Sequence, residues 1–172
     1  RPYYSEGSKS IGYELAEQLG WHAPEHIIVP VASGSLFTKV HKGLQEFAQL
    51  GIIENADTKM HIAQPFGCSP VAKAFIEGQA HPKPVIPNTI AKSLAIGSPA
   101  DGMYSVGIAN KTGGSATIVP ESEIAEGMKL LAETEGIFTE TAGGVVISTL
   151  RRLAREGVIG PDEETVALIT GT

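Results

Sequence analysis

The sequence predicts an α/β fold, a three-layer sandwich in which a mostly parallel, twisted sheet is flanked by helices. Short apolar segments alternate with helical patterns along the chain, which is typical of parallel strands joined by right-handed crossover helices. Hydrophobic residues make up 42% of the sequence and charged residues 19%, an ordinary globular composition. Because no repeat, low-complexity tract or linker interrupts the pattern, we predict a single α/β domain over residues 1–172.

The first part of the chain predicts a helix, a strand and a second helix. Residues 8–19 place apolar side chains four positions apart, as an amphipathic helix does. Residues 26–31 (HIIVPV) are apolar on both faces, which predicts a strand covered by helices on both sides. Pairing of this strand should end at Pro30, because proline has no N–H to donate. Residues 37–51 then return to helical spacing.

The strand and helix pattern continues to the end of the chain. Further strands are predicted at residues 60–65, 116–120 and 165–170, and further helices at residues 69–78, 122–136 and 141–157. Residues 79–88 carry three prolines and predict a loop, whereas residues 89–112 predict one or two weakly patterned helices. Inside the last helix, Gly143 and Gly144 each cost ~1 kcal/mol of helix stability, so we expect something to approach the helix closely there.

Composition excludes several classes of function. A net charge of −6 with 13 scattered basic residues argues against a nucleic-acid surface, which requires clustered Lys and Arg. No apolar run reaches the roughly 20 residues of a membrane span, and the first residues lack the layout of a secretory signal. The single cysteine, Cys68, cannot form an internal disulfide and is expected to be a buried thiol. We therefore expect a cytoplasmic protein without a nucleic-acid or membrane partner.

The histidines do not predict a metal site. His22 and His26 have ligand spacing, but Pro24 lies between them and disfavours a helix, so we expect surface histidines. The other three have no cysteine or carboxylate at ligand spacing (His41, His61 and His81). No nucleophile elbow or paired-carboxylate motif is present either, so these patterns assign no catalytic residue.

The candidate ligand site lies at the carboxyl ends of the predicted strands, where open α/β sheets bind ligands. Residues 32–35, Ala-Ser-Gly-Ser, join the first strand to a helix whose first N–H groups are unpaired and favour an anion. The amides of residues 33–36 could hold one phosphate. The turn has neither the lysine of a P-loop nor the three-glycine dinucleotide pattern. A tight turn also needs small residues, so a purely structural role remains open.

Three other polar residues are placed at element ends on the same side. Glu140 precedes the glycine-containing helix and is either an ordinary first-turn charge or a group that faces the site. Thr170 and Thr172 stand at the tip of the last strand, where a threonine either satisfies a turn or contacts a ligand.

Five stretches, taken in order, carry a resemblance to a known family. They are YYSEGSKSIGYELAEQLGW, VPVASGSLFTK, LAIGSPADG, EGIFTETAGG and ALITGT. Together they resemble the threonine synthase family of pyridoxal-phosphate enzymes, which have the tryptophan-synthase β-like fold (fold type II), over essentially the whole chain. The resemblance implies that the chain is the larger, cofactor-binding domain of such an enzyme, with pyridoxal 5'-phosphate as cofactor.

The same resemblance implies the roles of individual residues. It assigns the cofactor phosphate to Ala32, Ser33, Gly34, Ser35 and Leu36, the pyridine nitrogen to Thr170, and the surroundings of the cofactor ring to Glu140. A hydroxyl has a very high pKa, so it would leave the ring nitrogen largely unprotonated and moderate the electron sink. Ser33 and Ser35 depart from the family's common Gly-Asn-rich loop, and Thr141 stands where Pro is common.

The family's reaction converts O-phospho-L-homoserine and water to L-threonine and phosphate. Its Schiff-base lysine lies in a Ser-Phe-Lys-Asp-like motif, which this sequence lacks. We therefore expect a fragment of a longer, homodimeric two-domain enzyme, with the lysine upstream of Arg1, no catalytic residue here, and no activity alone. Lys9 is expected to have a local structural role near the site. The alternatives are a related fold type II enzyme, threonine dehydratase or cysteate synthase, and a non-catalytic module that keeps the fold.

Overall fold

The computed structural model describes residues 2–171, so Thr172 lies outside the described part. Its helices are α1 (Pro2–Gly7), α2 (Ser10–Gln18), α3 (Ser35–Gln49), α4 (Pro70–Ile76), α5 (Gly102–Lys111), α6 (Glu121–Glu135) and α7 (Thr141–Arg155). Its strands are β1 (His26–Pro30), β2 (Lys59–Pro65), β3 (Ala116–Val119) and β4 (Thr165–Ala167). The strands form one sheet in the order β3-β2-β1-β4, and every pairing is parallel. The predicted α/β fold is confirmed.

Two hydrophobic cores on opposite faces of the sheet make the three layers. Alternate residues of β1 point to opposite sides, so Ile27 and Val29 join the core of α2, α3, α4 and α5, whereas Ile28 joins the core of α6 and α7. All five residues of β1 are buried. This explains why the strand sequence shows no alternation of polar and apolar residues.

The last strand is shorter than predicted because of Pro30. On the β2 side, β1 stays paired to its end, where Pro30 faces Ala63. On the β4 side the ladder stops at Ile28, whose partner is Ala167. The residues of β1 that face β4 alternate along the strand, beginning with His26 and Ile28. The third residue on that side is Pro30, which has no N–H to donate. The last hydrogen bond of this ladder is donated by the Leu168 N–H to the Ile28 carbonyl at 3.0 Å, so residues 169–170 leave the ladder before the predicted strand end.

Other boundaries differ in detail. The predicted helix at residues 8–19 begins at Ser10, after a separate first helix. Residues 79–88 contain neither helix nor strand, as predicted, and residues 89–112 form a 3₁₀ turn (Lys92–Leu94) followed by α5. Cys68 is buried, and burial raises the pKa of its thiol. Within residues 2–171, none of the helices has the length and apolar character that crossing a membrane requires.

The prediction that both early histidines lie at the surface is wrong for His26. His22 is exposed and its Nε2 lies 2.8 Å from Glu164 Oε2. His26 is fully buried, because it begins β1 and its side chain points into the protein beside His61 of β2. No local pattern in the sequence indicated this pair, because the two residues meet only when β1 and β2 align.

The expected close approach is confirmed at Gly144, where the neighbour is α6, whereas at Gly143 the neighbour is the side chain of Thr139. A side chain at Gly144 would overlap the carbonyl oxygen of Ile124, and one at Gly127 would overlap the carbonyl oxygen of Gly144. Ser148 Oγ also donates to the carbonyl oxygen of Glu123 at 2.8 Å. The two helices thus touch through their backbones.

A buried glutamine connects the end of β1 to the start of α4. Gln64 is fully buried, and its Nε2 donates to the Val31 carbonyl at 2.9 Å. Its Oε1 accepts the N–H groups of Val71 and Ala72, both at 2.9 Å, which α4 leaves unpaired in its first turn. One side chain therefore satisfies three buried backbone groups next to residues 32–35.

Gln64→Leu is expected to lower the free energy of unfolding by about 3 kcal/mol, because three buried backbone groups lose their partner while the side-chain volume is kept. The matched control is Gln18→Leu, whose glutamine bonds only to the exposed Glu14 and should cost no more than about 0.5 kcal/mol. Urea denaturation of both variants measures the difference. Equal midpoints would show that the Gln64 bonds do not stabilise the fold.

Candidate functional site

A cavity of about 200 Å³ lies at the carboxyl ends of β1 and β4, where ligands of parallel sheets bind. It is lined by Tyr4, Pro30, Ala32, Ser33, Gly34, Leu36, Phe37, Ser93, Leu94, Glu140 and Thr170. Every described residue predicted for the site is among them except Ser35, whose side chain is buried at the start of α3, and Thr172 lies outside the described residues. The structure thus brings together the strand-to-helix turn, Glu140 and Thr170, which are far apart in sequence.

The turn after β1 presents unpaired amides to this cavity. Gly34 precedes α3 with a φ of +93°, in the left-handed region that favours glycine. Helical bonding begins when Thr38 N–H donates to the Gly34 carbonyl at 3.0 Å, so the amides of residues 35–37 precede the helical ladder. Only a long contact of 3.4 Å joins Ser35 N–H to Ser33 Oγ. Unpaired amides at the start of a helix, together with the helix dipole, favour an anion.

The segment before α5 contacts the turn at residues 32–35 and fixes its position. Asp101 N–H donates to the Ser33 carbonyl at 2.8 Å, and the buried Ser105 Oγ donates to the Asp101 carbonyl at 3.0 Å. A Cβ at Gly34 would lie 2.6 Å from Ser105 Oγ and 2.8 Å from the Asp101 carbonyl oxygen. Glycine is therefore required here by both conformation and space. This contact explains why the stretch LAIGSPADG accompanies the turn.

Glu140 faces the cavity and does not cap its own helix. It precedes α7 in an extended conformation without a side-chain capping bond. Its Oε1 accepts a hydrogen bond from Ser93 Oγ at 2.9 Å, and its backbone N–H donates to the Gly171 carbonyl at 3.0 Å. Thr139 Oγ1 donates to the same carbonyl at 2.8 Å, so the start of α7 is tied to the residue after Thr170.

Sequence reasoning missed Tyr4 and Ser93. Tyr4 belongs to a stretch that carried the family resemblance, and its exposed ring lines the cavity from α1. Ser93 lies in a weakly patterned segment, and its only signal is its position directly before the stretch that begins at Leu94. Both reach the cavity through the packing of segments distant from the turn.

The residues lining the cavity, within the part of the chain that the structure describes, include no lysine or arginine. Lys9 lies elsewhere, with its Nζ 2.8 Å from Glu46 Oε2 and in contact with Glu6. Hydrogen bonds that Lys9 donates to Glu46 and then to Glu6 raise the pKa of Lys9, so it stays protonated. Lys9 therefore links the start of α2 to α3, a structural role, but it lies away from the cavity and not near the site as expected.

A parallel α/β sheet with unpaired amides in the turn at its carboxyl edge is the arrangement in which α/β proteins commonly bind phosphorylated ligands. The chain belongs to the pyridoxal-phosphate dependent enzyme family, whose model matches residues 1–171. The cofactor of this family is pyridoxal phosphate. The residues present fit it, because the turn leaves room and free amides for a phosphate, and a hydroxyl and a carboxylate line the same cavity.

Threonine synthases are among the similar proteins. The enzyme of Methanocaldococcus jannaschii is 37% identical over 174 residues, which cover 99% of this chain and 42% of that protein. The enzyme of Methanosarcina acetivorans is also 37% identical, over 171 residues, with the same coverage of both chains. This chain therefore spans less than half the length of these relatives.

Solved structures confirm the fold. The processed form of threonine deaminase isoform 2 from Solanum lycopersicum superimposes with a TM-score of 0.78 at 20% identity, covering 99% of this chain and 46% of that one. A fungal L-serine ammonia-lyase from Rhizomucor miehei gives a TM-score of 0.75 at 25% identity, covering 97% of this chain and 51% of that one. The three-layer α/β domain is thus shared with fold type II pyridoxal-phosphate enzymes.

Proposed function

We propose that this chain is the larger, cofactor-binding domain of a threonine synthase that converts O-phospho-L-homoserine and water to L-threonine and phosphate. The observation that carries the proposal is the 37% identity to two threonine synthases, which extends over 99% of the chain. The complete enzyme is then a two-domain protein, and we propose a homodimer in the cytoplasm.

The residues of the cavity have distinct roles in this proposal. The amides of residues 33–36 bind the cofactor phosphate, and the hydroxyl of Thr170 contacts the pyridine nitrogen. Glu140 lies beside the cofactor ring, where Ser93 Oγ holds its carboxylate. When bound, pyridoxal phosphate supplies an electron sink for chemistry at the substrate's carbon atoms. In this proposal the side chains described here bind and orient the cofactor.

We further propose that a segment outside this sequence supplies the lysine that carries the cofactor covalently. Two observations support this proposal. No lysine lines the cavity within residues 2–171, and Lys9 is paired with the carboxylates of Glu46 and Glu6. The isolated chain should then bind the cofactor weakly and without turnover. Related enzymes with the same sheet act on threonine, and the 20% identity to threonine deaminase supports the fold but not that activity.

A test uses both the isolated chain and the product of the complete reading frame. The isolated chain is expected to bind pyridoxal phosphate at one weak site, in competition with inorganic phosphate, as measured by equilibrium dialysis. The complete protein is expected to release threonine and phosphate from phosphohomoserine but to leave threonine and O-phosphoserine unchanged. Turnover of threonine or O-phosphoserine would instead identify a threonine dehydratase or a cysteate synthase, and no turnover with bound cofactor would indicate a non-catalytic module.

A further inference from the structure

A continuous row of four side chains crosses the amino-terminal edge of the sheet, opposite the cofactor cavity. In the order of the strands, they are Ser115 before β3, His61 of β2, His26 of β1 and Glu163 before β4. His61 Nδ1 lies 2.7 Å from Ser115 Oγ, and its Nε2 lies 2.8 Å from His26 Nδ1. His26 Nε2 lies 3.2 Å from Glu163 Oε2, within ion-pair distance but off the direction of an ideal hydrogen bond. Both imidazoles are fully buried.

One backbone group fixes the protons of both rings. The N–H of Ser115 donates to His61 Nδ1 at 3.1 Å, so this nitrogen must be an acceptor. A neutral His61 then carries its proton on Nε2 and donates it to His26 Nδ1. His26 in turn carries its proton on Nε2, toward the Glu163 carboxylate. A backbone N–H cannot reverse its role, so the direction of donation is set across all four strands.

We propose that Ser115, His61, His26 and Glu163 form a pH-sensitive latch, which holds the amino-terminal edge of the sheet while both imidazoles are neutral and releases it in acid. A proton added to His26 Nδ1 would face the Nε2–H of His61. Moving the His61 proton to Nδ1 would instead oppose the Ser115 N–H. Either position places two donors against each other in a buried site, which disfavours the protonated state while the site is closed.

The charged groups around the latch lie mainly near Glu163, at the β4 end of the row. Glu163 Oε2 accepts the Gly160 N–H at 2.6 Å, and Lys59 Nζ lies 3.6 Å from Glu163 Oε1. Glu25 Oε2 accepts the Glu164 N–H at 2.6 Å, while Glu164 is paired with His22. Helix α7 packs on the same face of the sheet as the two imidazoles, and it carries Arg151, Arg152 and Arg155. Arg151 pairs with Glu126, and Arg152 pairs with Glu123. Glu163 is therefore the acid that faces the imidazoles most directly.

The sign of the pH dependence follows from His61. Burial, then the charges of His26 and Lys59, lower the pKa of His61 to about 4. An unfolded histidine has a pKa near 6.5, so below that pH the unfolded chain binds a proton that His61 of the folded chain does not bind. The contribution of His61 to stability is therefore fully present above about pH 6.5. As the pH falls from there toward 4, this one group raises the unfolding equilibrium constant about tenfold per pH unit.

Long-range ¹H–¹⁵N correlation spectra of the imidazoles test the latch in the unmodified protein. At pH 7.5, both His26 and His61 are expected as the Nε2–H tautomer, and Ser115→Ala, which keeps the backbone N–H, should leave both tautomers unchanged. On titration, the His61 signals should stay neutral to below pH 5. An Nδ1–H tautomer at either ring, or a His61 titration near 6.5 in the folded protein, would overturn the proposal.

Denaturation as a function of pH gives an independent readout. His61→Gln removes the titrating ring, so the loss of stability between pH 6.5 and 4.5 should shrink by up to about a hundredfold in the unfolding equilibrium constant. The matched control is His22→Gln, at the same edge but exposed, which should keep the original pH dependence. An unchanged slope in His61→Gln refutes the latch, and if this variant does not fold, the tautomers of the unmodified protein decide.

Discussion

Gly34→Ala is expected to weaken binding of pyridoxal phosphate by at least about a hundredfold and to lower the free energy of unfolding by about 2–4 kcal/mol. At φ +93°, any other residue is strained. The added methyl group would also lie 2.8 Å from the carbonyl oxygen of Asp101, a backbone atom that cannot rotate away. The turn must then move, and the amides of residues 35–37 move with it. Equilibrium dialysis with the cofactor and urea denaturation measure the two effects.

Gly51→Ala is the matched control, because Gly51 follows the other end of the same helix. Its φ of +70° also disfavours alanine, but no atom lies within 4 Å of the added Cβ. We expect a cost of about 1 kcal/mol in stability and no change in cofactor affinity. Equal losses of affinity in both variants would contradict a specific role of the turn in binding the phosphate.

Gly144→Ala is expected to lower the free energy of unfolding by at least about 3 kcal/mol, because α6 and α7 touch at this point. The methyl group would overlap the carbonyl oxygen of Ile124, and the Met128 side chain offers no space behind it. The helices would have to separate, which would open the core beneath them that contains Ile124 and Val145. Thermal and urea denaturation followed by circular dichroism measure the loss.

The same substitution in another helix provides the control with the opposite sign. Gly107 lies inside α5 and is exposed, and an added Cβ there meets nothing within 4 Å. Gly107→Ala should therefore stabilise the protein by about 0.5–1 kcal/mol through helix propensity alone. If Gly144→Ala were equally benign, the close crossing of α6 and α7 would not exist in solution.

Local patterns were sufficient for the sheet and most helices. The apolar runs at residues 26–31 and 60–65 predicted buried parallel strands, because a strand covered on both faces has no polar side. The turn at residues 32–35 was predicted as an anion site from its place between such a strand and a helix. These inferences rest on interactions within a few residues, and the structure confirms the placement of the elements.

Other features depend on contacts between distant segments. The effect of Pro30 on β4 requires knowing which neighbour each N–H faces, and the burial of His26 requires the alignment of β1 with β2. Whether Glu140 was a helix-end charge or a cavity residue was settled only by its contacts with Ser93 and Gly171. The sequence pattern contains no record of these pairings, so none of the three outcomes could be predicted from it.

The contacts of Asp101 and Ser105 with the turn also have a consequence for how the protein folds. Ser105 Oγ lies 3.5 Å from the Gly34 carbonyl across 71 residues of chain, and Glu25 and Glu164 pair β1 with β4 across 139 residues. Such distant contacts make folding slow, because loops must close before any contact compensates for the lost entropy. During synthesis, the turn lacks these contacts until the segment around Asp101 has left the ribosome. We therefore expect the turn to reach its final conformation late in folding.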